Sequence, residues 1–528
     1  MSYWSKPPES RDQLVLFSRR LDEVIEADHP VRLLDEILGS LDWSEFEKWY
    51  DGTCGQPPIH PRVLASVTLY GVMTRIRSSR ALEDALKVRL DFRWLAEGRS
   101  IDHTTLSEFR RQRSKPLKDL FVQIGMVARE MGLLPLEQLA YDGTRIRANN
   151  RRQGARTPDE LKKWREELSR KYEELEQRLA QADAAEQDVS GADLPAELKD
   201  TGQRLKRIDA ALAELKRVEE AEETVPKRIP MTDPQSRITP NKEGGFAANY
   251  TPLATVDTTH GFIVSSDVIA MTDEEHFLVG QIQQVQEDFG LNSPPAEMLA
   301  DGMMATGANL QDLTEMGVTL YSPVKSMPAD QNPAVRADLT KPVAEDQWDR
   351  LPTFAAPGSN GKQRQFSKEA FVYDAQNDCY WCPAGKRLDP QRETVRQLAT
   401  GPQTRTDYKA EVSSCSGCPL RDRCLQKTSQ SRQVSRYDHE SKVDELAARM
   451  ETPEAKKIYA RRRYVMERPF AEIKQRYGAR QFLLRGLEKV RTEWRWLTTA
   501  FNLDRLMSLW PPRAGPDPDL SSLQGCRG

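Results

Sequence analysis

The sequence has no apolar run close to the ~18 residues that a membrane-spanning helix needs, and its first eight residues contain no apolar signal core. We therefore expect a cytoplasmic protein. Histidine is scarce, with six residues in 528, and none lies in a nucleophile or zinc-protease motif. A glycine-rich phosphate loop followed by Lys and Ser or Thr is also missing. These absences disfavour a membrane protein, a histidine-dependent hydrolase and a P-loop nucleotide hydrolase.

Cysteine is sparse but clustered, because five of the seven residues fall between 379 and 424. In a chain without a secretion signal, close CxxC pairs indicate metal binding ahead of disulfides. Cys382, Cys415, Cys418 and Cys424 have a spacing that suits one tetrahedral structural zinc ion. Cys379 forms a CxxC pair with Cys382, so the first ligand stays open between these two. Reduced cysteines without metal are the alternative.

Charge is unevenly distributed along the chain, although the formal net charge is only −3. The segment from Pro453 to Arg513 holds 15 Lys and Arg against 6 Asp and Glu, a net +9. Residues 157–223 hold 19 acids and 12 bases, a net −7. A concentrated basic surface attracts a phosphodiester backbone through counterion release. Net charge alone would have hidden this nucleic-acid signal.

The first ~133 residues show apolar spacing near three and four, which predicts helices. The predicted helices are Arg11–Glu26, Pro30–Leu41, Pro61–Met73, Ser79–Arg89 and Pro116–Met131. Between the last two, Thr105 and Glu108 form a capping-box pattern that is followed by basic residues including Arg110. This stretch is either a helix presented to DNA or a capped surface helix with solvated arginines.

The middle of the chain alternates strand and helix signals. A strand is predicted to run into a turn at Tyr141–Thr144, and a β-hairpin is predicted at Thr251–Ile269. A helix at about Asp273–Phe289 and strands at Met298–Asp301 and Gly317–Val324 follow. This order indicates a mixed α/β sheet rather than a barrel or sandwich.

Two segments interrupt that alternation. Leu161, Leu168 and Leu175 recur every seven residues, which predicts an antiparallel coiled-coil hairpin over 157–224. Residues 325–440, which contain the cysteine cluster, are expected to have little regular secondary structure and to form an insert. Helical spacing returns at Lys442 and continues, with a break near Pro453, through Leu509. Trp494 and Trp496 could stack on unpaired bases, but their helical spacing favours core packing.

Three acids belong to predicted core elements: Asp142 and Asp301 each end a strand, and Glu467 lies on the late basic helix. Mg²⁺ prefers carboxylate oxygens, and two such ions can stabilise both the attacking and leaving oxygens of an in-line displacement. Each acid also has a simpler interpretation. Asp142 and Asp301 both precede glycine, a common turn pair, and Glu467 could pair with Arg463 at i−4.

The run from Tyr459 to Lys474 resembles the carboxyl-terminal signature of bacterial insertion-sequence DDE transposases. The matching residues are Tyr459, Arg462, Glu467 and Lys474, with Arg463 as the alternative to Arg462. The segments that begin at Asp142-Gly-Thr-Arg and Leu299-Ala-Asp301-Gly resemble the two aspartate strands of the family. Amino-terminal motifs extend the likeness: His60-Pro-Arg62, Tyr70-Gly71, Arg77-Ser-Ser-Arg80, Phe92-Arg-Trp94 and Asp102 to Arg110.

The resemblance implies an α/β fold with a ribonuclease-H-like mixed sheet flanked by helices. The implied organisation is an all-α DNA-binding domain at 1–132, a catalytic core at 133–510 interrupted by the coiled-coil hairpin (157–224) and a zinc-binding insert (325–440), and a flexible tail at 511–528. It also favours Cys382 as the first zinc ligand.

The implied activity is cut-and-paste transposition by metal-dependent DNA cleavage and strand transfer. Two Mg²⁺ or Mn²⁺ ions would be held by Asp142, Asp301 and Glu467. The expected partners are terminal inverted repeats and target DNA, with a homodimer during synapsis. Expected DNA contacts are Tyr459, Arg462 or Arg463, Lys474 and Arg110. The alternatives are a ribonuclease-H-like nuclease without strand transfer and a catalytically degenerate zinc-containing DNA-binding protein.

Overall fold

The computed structural model of the protein describes residues 20–50, 58–112, 114–151, 154–184, 193–221, 225–240, 244–271, 273–324, 327, 330–355, 364–398, 401–426 and 428–511. The chain forms two compact units. The first unit comprises residues 1–295 and 461–528, and the second unit comprises residues 296–460.

The first unit opens with helices. They are α1 (Pro30–Ser40), α2 (Ser44–Glu47), α3 (Pro61–Met73), α4 (Ser79–Val88), α5 (Leu90–Leu95), α6 (His103–Gln112) and α7 (Ser114–Glu130). The four helices predicted between Pro30 and Met131 are confirmed. Most of the helix predicted at Arg11–Glu26 lies outside the described residues, and a short 3₁₀ turn occupies Leu21–Val24.

Helix α6 begins earlier than its capping pattern predicts. The carboxylate of Asp102 accepts hydrogen bonds from the backbone N–H of Thr104 at 2.7 Å and of Thr105 at 2.9 Å. Asp102 therefore caps the helix, and the prediction that Thr105 does so is wrong. An Asp side chain one residue before the first helical turn satisfies the same orphan donors.

The described residues of the first unit then form seven strands. They are β1 (Gln138–Gly143), β2 (Ile146–Arg147), β3 (Ala155–Arg156), β4 (Ile229–Pro230), β5 (Arg237–Pro240), β6 (Phe246–Asp257) and β7 (Ile263–Ile269). Strand β6 is the centre, since it pairs antiparallel with β1, β2, β5 and β7. Asp142 lies opposite Ala254 in this ladder. The predicted hairpin at Thr251–Ile269 is confirmed as β6 and β7.

Between β3 and β4 the chain forms two long helices, α8 (Pro158–Ala184) and α9 (Asp193–Glu220), which contact each other. Leu161, Ile208 and Leu215 are buried in the apolar cluster that they share with Ile229 of β4. The two predicted helices are confirmed, whereas their supercoiling stays a prediction. A 3₁₀ turn at Glu274–Phe277 and helix α10 (Leu278–Asp288) then match the helix predicted after the hairpin.

The second unit starts with a β–α–β segment. Strands β8 (Glu297–Leu299) and β9 (Thr319–Tyr321) are parallel, and helix α11 (Gly307–Glu315) connects them. Antiparallel and parallel pairs therefore both occur, and the fold is mixed α/β as predicted. The ribonuclease-H likeness stays a prediction.

The remainder of the second unit is more regular than the sequence suggests. Its strands are β10 (Thr353–Ala355), β11 (Arg364–Phe366), β12 (Val372–Asp374), β13 (Cys379–Trp381), β14 (Arg387–Leu398), β15 (Gly401–Ala410) and β16 (Gln433–Tyr437), and its helices are α12 (Val412–Ser416), α13 (Arg421–Cys424) and α14 (Glu440–Glu451). Strands β12 to β16 form one five-stranded antiparallel sheet in chain order. The expectation that regularity fades over 325–440 is thus wrong. Polar residues dominate both faces of β14 and β15, so these strands lack the usual alternation of apolar and polar residues.

The carboxyl-terminal part contains helix α15 (Pro453–Ala471), a π-helical turn at Glu472–Arg476 and helix α16 (Leu487–Leu509). The predicted break near Pro453 is confirmed, because Pro453 opens α15. An interruption before α16 was not predicted. Trp494 and Trp496 are each 1% exposed, which confirms core packing. Among the described residues, no helix is both long and apolar enough to cross a bilayer.

Candidate active site

Asp142 lies near the end of strand β1, where a buried strand reaches the surface. Tyr141 before it is fully buried, and the Asp142 side chain is 28% exposed. One carboxylate oxygen, Oδ1, accepts a hydrogen bond from the backbone N–H of Gly143 at 2.9 Å. The other, Oδ2, lies 2.8 Å from Nη2 of Arg462 on helix α15. The first predicted acid is therefore joined directly to the basic run.

The glycines that follow Asp142 and Asp301 are not turn formers with positive φ. Gly143 lies within β1, and a Cβ atom there would collide with the carboxylate of Glu274. A Cβ atom on Gly302 would lie 2.7 Å from the carbonyl oxygen of Pro323. The backbone carbonyl of Pro323 makes glycine necessary at Gly302, whereas the carboxylate next to Gly143 is the end of a flexible side chain that can move aside. Asp142 and Gly143 lie in strand β1 and form no turn, whereas Asp301 and Gly302 open a 3₁₀ turn, as the turn interpretation of that pair expects.

Helix α15 presents its two candidate arginines to different surroundings. Arg462 lies on the side that buries Val465 and Met466, and its side chain is 15% exposed. Arg463 is 84% exposed and pairs at 3.0 Å with Glu467, which is 66% exposed. The i−4 pairing considered for Glu467 is present. In this arrangement Arg462 of α15 pairs with Asp142, and Glu467 pairs with Arg463.

Lys474 supplies a second link between the basic run and strand β1. Its Nζ donates a hydrogen bond to the hydroxyl of Thr144, which is 5% exposed. The backbone N–H of Thr144 in turn donates to the carbonyl oxygen of Pro252 on β6 at 2.9 Å. Arg462 and Lys474 thus hold α15 and its π-helical end against the residues on either side of Gly143.

Asp301 belongs to the second unit, two residues beyond β8. Its carboxylate accepts a hydrogen bond from the backbone N–H of Met303 at 2.7 Å and caps the 3₁₀ turn Gly302–Met304. Its carbonyl oxygen accepts a hydrogen bond from the hydroxyl of Ser322 at 2.6 Å. These contacts fix the backbone on which the second predicted acid stands. Tyr459, also in this unit, is partly exposed on α15.

Arg110 is a buried residue of helix α6. Its side chain is buried, with the residue 7% exposed, and Nη1 donates to the carbonyl oxygen of Arg77 at 2.5 Å. Burial lowers the pKa of its guanidinium, with Glu493 acting in the opposite direction. This position conflicts with the predicted DNA contact, and α6 uses Arg110 for packing instead. Its apolar neighbours Leu106 and Phe109 take the same side of the helix.

Arg77 and Glu493 form a contact that the sequence analysis did not identify. The two side chains are 9% and 2% exposed and are 2.7 Å apart. Arg77 also donates to the carbonyl oxygens of Gly478 and Gln481, at 2.7 and 3.0 Å. Glu493 accepts from the backbone N–H of Leu483 and Leu484. The pair therefore fixes the segment that follows Lys474. The one feature of the sequence that could have indicated this pair is Glu493, a charged residue within the apolar pattern of α16.

Among the described residues, no group of three or more His, Cys, Asp or Glu side chains is arranged to hold a metal ion. The residue types do fit Mg²⁺, since Asp142 offers a partly exposed carboxylate and Glu467 an exposed one. Their arrangement does not, because each carboxylate pairs with an arginine. Metal binding by both would require these two ion pairs to open.

The four predicted zinc ligands lie together in the second unit. Cys382, Cys415, Cys418 and Cys424 line one cavity of about 20 Å³ beneath the five-stranded sheet. The backbone N–H of Lys386 donates to Sγ of Cys382 at 3.3 Å. Burial raises the pKa of the Cys382 thiol, and raises that of Cys424 to about 12. Both are therefore thiols at neutral pH when they bind no metal.

Cys379 has different surroundings from these four cysteines. It lies fully buried in β13, where Asp374 is its partner in β12, and it is not among the residues that line the cavity. Its charged neighbours are Arg387 and several aspartates. Of the two candidates for a first ligand, Cys382 is the one that shares a cavity with the later cysteines.

Two comparisons with known families bear on this arrangement. Residues 381–507 match a family described as "Transposase DDE domain". Residues 19–112 match a family described as "Transposase domain (DUF772)". A search among curated proteins gave no significant match. The first match includes Glu467, Lys474 and the four clustered cysteines, whereas Asp142 and Asp301 lie outside it.

Both matched families are transposase domains, and they define the class of protein to which this chain is similar. The resemblance to insertion-sequence DDE transposases is thereby confirmed. The two matches support a transposase function, for which DNA is the substrate class.

Proposed function

We propose that the protein is the transposase of an insertion sequence and moves DNA by metal-dependent cleavage and strand transfer. The observation that carries this proposal is the contact between the basic run and strand β1. Arg462 and Lys474, both in the match to the transposase DDE domain, bind Asp142 and Thr144 of the strand that resembles the first-aspartate strand of that family.

Asp142, Asp301 and Glu467 are the proposed metal ligands. Divalent ions held by these residues would activate water and would stabilise the oxygens of an in-line phosphoryl displacement. The fold of this chain determines where the proposed ligands stand. The β1 ladder fixes the backbone of Asp142, and the contacts of Met303 and Ser322 fix that of Asp301. Opening of the Arg463–Glu467 pair costs little, because both side chains are exposed.

Arg462 and Lys474 are the proposed phosphate contacts. Arg462 balances the charge of Asp142, and a guanidinium released from this carboxylate can bind a phosphate with the same fork of donors. Lys474 carries a compact positive charge next to the same strand. Tyr459, three residues before Arg462, is proposed to pack beside the bound DNA. Arg463, exposed on the same helix, is the weaker candidate of the two arginines.

The proposal is tested with DNA that carries the sequences flanking the gene. The purified protein is incubated with this DNA and Mg²⁺, and nicked and joined products are separated on a denaturing gel. Wild type should both cleave and join, and Asp301→Ala should bind the DNA without doing either. Asp312→Ala is the matched control, because Asp312 is an exposed acid on α11 of the same unit.

Each outcome of that experiment has a definite meaning. Binding without cleavage or joining by wild type would contradict the enzyme and favour a DNA-binding protein. Cleavage without joining would favour a nuclease. Full activity in Asp301→Ala would remove Asp301 from the site.

We also propose that Cys382, Cys415, Cys418 and Cys424 hold one structural Zn²⁺. Four thiolates suit tetrahedral zinc, and the shared cavity supports this assignment. The ion would tie helices α12 and α13 to the hairpin between β13 and β14. Its expected role is to stabilise the second unit rather than to take part in catalysis.

A further inference from the structure

A cavity of about 700 Å³ lies in the first unit between α8, α9 and the loops next to β3 and β4. This volume is within the usual range for small-molecule pockets. We call it the hairpin cavity. Neither the transposase matches, at 19–112 and 381–507, nor the proposed acids involve it.

The hairpin cavity is basic although its helices are acid-rich. Five basic side chains line it against one acid, Glu167. They are Arg151, Arg156, Lys171, Arg204 and Arg207. Lys171 pairs with Glu197 and Arg204 with Asp200, each at 2.7 Å and about half exposed. Exposed pairs of this kind are weak, so a phosphate could displace the acids.

An indole is part of the same wall. Trp164 is 38% exposed, so part of its indole is accessible from the cavity. The guanidinium of Arg156 lies 4.6 Å from the centroid of its ring. Beneath them Ile208 is fully buried, and Leu168 is partly buried in the hairpin core. An aromatic ring, guanidinium groups and an apolar floor are the groups that bind unstacked bases and their phosphates.

We propose that the hairpin cavity binds one unpaired deoxynucleotide of the DNA substrate, with its base against Trp164 and its phosphates on the arginines. A paired base cannot enter, because its π-face is stacked within the duplex. This inference rests on the proposed function in taking DNA as the partner. It adds that tight DNA binding requires an unpaired base. The three proposed acids alone would not require one.

The test uses two duplexes that carry the gene-flanking sequence and differ at one position. One duplex is fully paired, and the other has a single extrahelical 2-aminopurine deoxynucleotide. Affinity is measured by fluorescence anisotropy, and base stacking by quenching of the 2-aminopurine. Stacking of one base on an aromatic side chain corresponds to roughly tenfold tighter binding. Wild type should show this preference together with the quenching.

Four variants give the test its specificity. Trp164→Ala and Arg207→Gln should lose most of the preference, and Trp164→Phe should keep part of it because a ring remains. Lys206→Gln is the matched control, since Lys206 is an exposed base next to Arg207 but does not line the cavity. It should behave as wild type.

Two results would overturn the inference while leaving the proposed function intact. One is equal affinity for both duplexes without quenching. The other is loss of 2-aminopurine quenching when free dAMP is added at the same concentration as the DNA. That result would assign the cavity to a free nucleotide. Failure to bind either duplex would instead contradict the proposed function itself.

Discussion

The guanidinium of Arg462 lies 2.8 Å from the carboxylate of Asp142, with the two side chains 15% and 28% exposed. The positive charge of Arg462 therefore already lies against Asp142, the first proposed metal ligand. Binding of Mg²⁺ by Asp142 and its pairing with Arg462 compete for the same carboxylate. The contact also explains why Arg462 and Arg463, adjacent in sequence, should not be equivalent.

The first prediction separates the two arginines. Arg462→Gln should lower the free energy of unfolding by about 1–3 kcal/mol, because it removes a charge-assisted hydrogen bond from a largely enclosed carboxylate. Arg463→Gln should change it by about 0.5 kcal/mol or less, because its pair is exposed. Urea unfolding followed by tryptophan fluorescence measures both. Equal losses would contradict the assignment of Arg462 to the enclosed position.

The second prediction concerns the Arg77–Glu493 pair. Arg77→Met should destabilise the protein by about 3–5 kcal/mol, because it leaves the buried Glu493 carboxylate without its ion partner. Lys456→Gln is the control, since its pair with Glu451 is 58% and 63% exposed. The same unfolding measurement applies. A loss no larger than that of the control would show that the pair does not fix the segment after Lys474.

The third prediction is a pH dependence at Glu83. Hydrogen bonds from Lys87 and His103 lower the pKa of Glu83 from 4.5 to about 2. Because the folded state binds its proton less readily than the unfolded state, this group stabilises the fold above pH 4.5, and the stabilisation is lost as the pH falls toward 2.

That dependence is measured as the difference in stability between wild type and Glu83→Gln. Wild type should be the more stable protein at neutral pH, and the difference should shrink between pH 4.5 and 2. A difference that is constant across this window would contradict the effect of Lys87 and His103 on Glu83.

The fourth prediction concerns the cysteine cavity. Metal analysis of freshly purified reduced protein should find about one Zn²⁺ per chain. Cys418→Ser should lose it, and Cys379→Ala should retain it because Cys379 does not line the cavity. Removal of zinc by a chelator should lower the melting temperature of the second unit. Wild type without zinc would contradict the proposed site.

Much of the fold follows from local sequence pattern. Helix α3 matches its predicted bounds from Pro61 to Met73, because Pro at the first position and an apolar face both act locally. The sequence does not predict strands β14 and β15, because they are stabilised by pairing with each other and are polar on both faces. The hydrophobic pattern within one strand does not record its pairing with the next.

The candidate site was only partly accessible from the sequence. The motifs indicate Asp142, Arg462 and Lys474, and in the structure Arg462 pairs with Asp142 while Lys474 bonds the neighbouring Thr144. The Arg77–Glu493 pair was missed because its residues are 416 positions apart and no local spacing marks them. The i−4 spacing already allowed the Arg463–Glu467 pair, but the sequence could not show that Arg462 reaches Asp142, since this contact depends on how α15 packs.

The most direct test of the central claim is the rate of Mg²⁺-dependent strand cleavage by Glu467→Gln. This change keeps the size of the side chain and removes its charge, so DNA binding should persist while cleavage falls by about 100-fold or more. Glu454→Gln, at the exposed start of the same helix, should cleave at the wild-type rate. Cleavage by Glu467→Gln at the rate of this control would contradict the assignment of Glu467 as a metal ligand.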